Sequence, residues 1–74
     1  MRDRKTLARL ALALVEGSLQ FGEAADEMFV DTFESVEEAA HAHAYLTGYV
    51  LQFLALERGE TVNQTVNAIK SRLN

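Results

Sequence analysis

Hydrophobic and polar positions divide the chain into four segments of helical period. In the first, Leu7, Leu10, Ala11 and Leu14 recur at i, i+3, i+4 and i+7, with Leu12, Val15 and Leu19 widening the stripe and Arg9, Glu16 and Gln20 on the other side. Asp3 is placed to cap this helix, Gly17 to bend or end it early, and Gly22 to stop it, so the spacing predicts a helix from about Asp3 to Gln20. The second segment, "EAADEMFVDTF", is short. Its acids suit the first turns of a helix, where the dipole favours negative charge, and Ala25, Met28 and Phe29 give it an apolar edge. Phe29, Val30 and Phe33 also read as a strand, but a lone strand has no partner here, so helix and then loop is expected.

The third segment carries punctuation at both ends. Ser35 and Glu38 have capping-box spacing, Arg58 falls in the last turn and Gly59 just past it, which predicts a helix over 36–58. The fourth repeats the device with Thr61 and Gln64. It places Val62, Val66, Ile69 and Leu73 at helical spacing, with Asn63, Asn67, Lys70 and Ser71 outward. Proline is absent, Ala and Leu are plentiful, and no internal repeat is visible. The expectation is an all-α single domain over residues 1–74: a small helical bundle of three main helices plus one short helix, completed by self-association.

Self-association is expected because of the stretch from Ala39 to Leu56, which holds no Asp, Glu, Lys or Arg. As a membrane span it is diluted by His41, His43, Thr47, Gly48, Gln52 and two tyrosines, and the acids from Glu34 to Glu38 supply no cationic anchor. Leu46, Val50, Phe53 and Leu54 make one apolar stripe; Tyr45, Tyr49, Leu56 and Leu51 make another, expected nearly opposite. A helix apolar all round must be covered all round, and a chain of 74 residues has little with which to cover it. Ala40, Ala44 and Gly48 form a row of small residues one turn apart that would admit a second backbone. The expected self-association surface is therefore Ala40, Ala44, Tyr45, Gly48, Tyr49, Leu51, Gln52 and Leu56, with a homodimer the first expectation and a monomer with a well-covered central helix the alternative.

Charge changes this picture by excluding one class of partner and suggesting another. The net charge is −4, and all seven Lys and Arg lie near the ends, with none between Arg9 and Arg58. A broad nucleic-acid groove needs continuous basic surface, so such binding is not favoured. Seven acids crowd one stretch: Glu23, Asp26, Glu27, Asp31, Glu34, Glu37 and Glu38. As first-turn acids of two successive helices they need no further explanation; as a functional belt they would dock on a basic protein surface, in the manner of small acidic inhibitors.

Candidate chemistry is sparse. Glu38-x-x-His41 puts a carboxylate and an imidazole on one helix face, the pair that four-helix di-iron sites take from each of two helices, and Glu16 or Glu27 would have to complete the set in a dimer. Glu37 and Glu38 are already accounted for as first-turn residues, and His41 lies one turn beyond Glu37, where a surface hydrogen bond suffices. His43 reads as an interior or interface histidine, which would make an interface sensitive to pH. There is no cysteine; Ser18, Ser35 and Ser71 lie in no nucleophile elbow; no glycine-rich phosphate loop occurs; and Met28 and Val30 occupy positions where a calcium loop needs oxygen ligands. No cofactor and no enzymatic activity are expected.

The tail "LERGETVNQTVNAIKSRLN" resembles in layout the second helix of ribbon–helix–helix DNA binders. No convincing basic strand precedes it, the helix before it is far too long and the chain is acidic, so the resemblance carries no expectation of that fold. The start, "MRDRKTLARLALALVEG", has a basic head and an apolar run. Arg9 interrupts the run and no A-x-A site closes it, so a signal peptide is not expected and the cytoplasm follows by default. The expected function is that of a small acidic binding or regulatory protein acting by protein–protein contact. A metal-binding oligomer built on Glu38 and His41 is the alternative class, and a weak nucleic-acid binder using the basic ends is the third.

Overall fold

The computed structural model describes residues 2–22 and 32–74. Three helices follow one another: α1 (Arg4–Phe21), α2 (Val36–Arg58) and α3 (Val62–Leu73). The fold is all-α, and no strand occurs among the described residues. The expected short helix lies outside the described residues, apart from Thr32 and Phe33, and with it the belt positions Glu23, Asp26, Glu27 and Asp31.

Local chemistry sets each helix boundary. Asp3 caps α1 by accepting from the Thr6 backbone N–H at 2.8 Å, and Gly22, at a positive φ of 61°, closes it by donating to the Ser18 carbonyl. Gly17 lies within the helix and does not end it. At the start of α2 the Ser35 hydroxyl accepts from the Glu38 N–H at 3.0 Å. The other half of the expected capping box is not made: the Glu38 carboxylate accepts from the Glu34 N–H and pairs with Arg2. A cationic partner from the chain's start wins over a local neutral donor because charge-assisted hydrogen bonds are the stronger. α2 ends in a Schellman turn, with Glu60 N–H on the Ala55 carbonyl and Gly59 N–H on that of Leu56, and Gly59 takes the left-handed φ of 66° that the turn requires. In α3 both halves of the capping box are present between Thr61 and Gln64.

Packing is asymmetric along α2. Leu7, Ala11 and Leu14 of α1 meet Phe33, Ala39 and Ala42 in the core, with Leu10, Tyr45 and Leu46 packed around them. α1 therefore covers one face of the first half of α2. α3 turns back against the second half, burying Ala55 and Thr65 and half-burying Leu51, Leu54, Val66 and Ile69. At about 100° per residue, Leu51, Leu54 and Ala55 lie on the side of α2 away from Ala39 and Ala42. The two flanking helices thus dock on different faces of different halves. Among the described residues eight apolar ones are buried, and five are alanine, so the helices approach closely while burying little apolar area.

Gly48 sits within α2, half-buried, and a methyl group there would meet nothing within 4 Å. No helix of the described chain uses the close approach that Ala40, Ala44 and Gly48 were expected to permit; Ala40 and Ala44 are exposed. Glycine in a helix interior is less favourable than alanine by about 1 kcal/mol. Gly48→Ala should raise stability by roughly 0.5–1 kcal/mol in denaturant unfolding, whereas a loss of stability would show that another backbone packs at this position.

Candidate self-association surface

The last three turns of α2 present an uncovered apolar face. Tyr49, Val50, Phe53 and Leu56 are 41%, 51%, 66% and 78% exposed, although all four lie within about 120° of arc on the side whose earlier turns α1 covers. The two stripes expected to be opposed in fact adjoin here: Val50 and Phe53 from one stand beside Tyr49 and Leu56 from the other. α1 ends its cover at a groove lined by Lys5, Ala8, Arg9 and Leu12 on its side and by Leu46 and Tyr49 on that of α2. The apolar face continues onto α1 through Leu12, 51% exposed, which lines the same groove as Tyr49.

Of the residues expected to self-associate, Tyr49 and Leu56 fall on this face. Leu51 is half-buried on the α3 side, and Tyr45 is half-buried beneath the Arg4 guanidinium, which lies 5.3 Å from its ring centre as a cation–π contact. Gln52 is exposed and shares a shallow groove with Arg4, Ala44, Tyr45, Gly48 and Tyr49. Val50 and Phe53 were missing from the expected surface. Their stripe reads as core in the sequence, and only the place where α1 stops shows otherwise.

The other candidate groups fare differently. Glu38 is buried, held by Arg2, whose Nη2 also donates to the Thr32 carbonyl at 3.0 Å. It is therefore withdrawn from the acidic belt, of which Glu34 and Glu37 remain exposed among the described residues. Glu38 is equally engaged as regards metal: its carboxylate already has two donors, and no group of three or more His, Asp or Glu among the described residues could hold an ion. His41 is exposed with its ring 6.2 Å from that of Tyr45, and His43, half-buried, lies 6.2 Å from the Phe33 ring. No helix among the described residues is long and apolar enough to cross a membrane.

Two carboxylates fix how the helices meet. Glu38 ties the chain's start to the head of α2, and Arg2 with the Glu34 N–H holds its pKa below the ordinary carboxylate value. At the other end Glu60 takes Arg58 at 2.6 Å on one oxygen and the Thr65 hydroxyl at 3.0 Å on the other, which lowers its pKa likewise and locks the α2–α3 corner.

The chain matches no known protein family, no curated protein and no solved structure.

Because the folded pKa of Glu38 is depressed, its contribution to stability is fully present above the ordinary value of about 4.3 and is lost as pH falls through the lower folded value. Glu38→Gln should therefore melt below the wild type at pH 7, and the gap between the two melting temperatures should narrow as pH falls below about 4.3. A constant gap from pH 7 to pH 3 would show that the Arg2–Glu38 pair is not what the acid removes. A residual acid sensitivity should remain in the variant, since Asp3 and Glu60 are depressed as well.

Proposed function

We propose that the protein is a non-enzymatic module that works by protein–protein contact and whose first partner is itself. The observation that carries this reading is the exposed face of Tyr49, Val50, Phe53 and Leu56 set against a core that is mostly alanine. A chain that leaves these four side chains largely outside while most of its buried apolar residues are alanine has apolar surface that a neighbour can cover. The inhibitor version, with the acidic belt against a basic target, loses one member of the belt, since Glu38 is occupied internally; among the described residues Glu34 and Glu37 are exposed.

Sedimentation equilibrium tests this reading. The wild type should sediment as a dimer at micromolar concentration. Phe53→Asp should weaken association at least a hundredfold, since each of two copies loses an aromatic side chain whose burial contributes about 1.5–3 kcal/mol. Its helix content should not change, because Phe53 is 66% exposed in the single chain. A wild type of 8.2 kDa at 100 μM and above would refute self-association.

A further inference from the structure

We infer that the partner on this face is a second copy docked by a two-fold axis beside Phe53, with α2 antiparallel to α2 of the partner, so that Lys5 and Arg9 of each copy meet Glu57 of the other. The inference rests on the reading of self-association above and specifies its geometry.

Two observations carry it. The first is the layout of charge around the apolar face. Lys5 and Arg9 border it at one end, lining grooves with Tyr49, and are exposed. Glu57 borders it at the other, four residues beyond Phe53 and seven beyond Val50, and is exposed on the same side of α2. None of the three has an ion-pair partner among the described residues, where the ion pairs are Arg2–Glu38 and Arg58–Glu60. Phe53 is midway between Tyr49 and Glu57, which are about 12 Å apart along the helix. A two-fold axis at Phe53 therefore places Tyr49, with Lys5 and Arg9 beside it, opposite Glu57 of the other copy, and does so twice. The same operation brings the basic pair to the negative end of the other copy's α2, a placement the helix dipole favours.

The second observation is area. Leu12, Tyr49, Val50, Phe53 and Leu56 are between 41% and 78% exposed. At roughly 150–250 Å² for a fully exposed residue of this kind, they present about 430–720 Å². That is at the upper end of the largest apolar patches of monomers and approaches the ~800 Å² each partner gives to a stable interface.

Charge reversal with mixing separates the possibilities. Arg9→Glu and Glu57→Arg should each raise the dimer dissociation constant about tenfold, because each turns two attractive contacts into repulsive ones. Mixed in equal amounts, the two variants should recover the wild-type constant to within about threefold, since the heterodimer has two complementary contacts. Circular dichroism should show the same helix content in all samples. A wild type that dimerises and is dissociated by Phe53→Asp, but whose charge variants either have no effect or fail to rescue each other, would overturn this register while leaving self-association standing. A monomeric wild type would overturn both, and would make residues 23–31 of the same chain the next occupant to test.

Discussion

Everything in this molecule follows from the difficulty of covering α2. A helix of 23 residues is about 35 Å long, and its neighbours have 18 and 12 residues. Each neighbour covers half the length, α1 on one face and α3 on another, so two quadrants of the cylinder stay open. The quadrant on the α3 side is lined by Val36, Ala40, Ala44 and Gly48 and leaves less apolar surface in water, chiefly that of Val36. The quadrant on the α1 side is lined by Tyr49, Val50, Phe53 and Leu56 and leaves a great deal. The same asymmetry holds inside: alanines at Ala8, Ala11, Ala39 and Ala42 let α1 and α2 approach closely, but alanine buries little area, so the contact contributes less than leucines there would.

With a thin core, the corners decide the geometry. Arg2 reaches Thr32 and Glu38 at once, tying the chain's start to the segment that enters α2. That bond fixes where α1 begins, and hence that its cover ends near Tyr49. At the opposite corner the Schellman turn at Gly59 and the Arg58–Glu60–Thr65 cluster send α3 back along the face of Leu51 and Ala55. Had that turn rotated α3 towards Phe53, the apolar face would be internal. The exposed face is thus a consequence of two polar corners, not of a surplus of hydrophobic residues alone.

The sequence made the helix ends legible because capping is local. Asp3, Ser35, Thr61, Gly22 and Gly59 act within a turn or two, and the boundaries they imply agree with those observed to within about a residue. The site was legible in part. That α2 is left incompletely covered follows from counting residues, and of the residues expected at its surface Tyr49 and Leu56 are exposed. Val50 and Phe53 were not among those expected, because periodicity says which residues share a face and nothing about which face a distant helix selects. At 100° per residue Tyr49, Val50, Phe53 and Leu56 share one arc of α2. Glu38 is the clearest case of what local reasoning cannot reach. Cap, belt and metal ligand were all readings of its neighbours in sequence, whereas its partner is 36 residues away.

An open apolar face is a hazard as well as an opportunity, because any repeated surface can build filaments if its mate lies elsewhere on the molecule. The charges at its two ends bear on that choice. Packed in parallel, the second halves of two α2 helices would set Arg9 against Arg9 and Glu57 against Glu57; packed antiparallel they set base against acid at both ends. A head-to-tail chain of copies would need a second apolar surface to receive the first. The opposite quadrant offers Val36 as its large exposed apolar residue and otherwise alanine and glycine, which have less area to bury. Both considerations favour a closed pair, in which the face is its own complement and, once matched, leaves nothing to propagate.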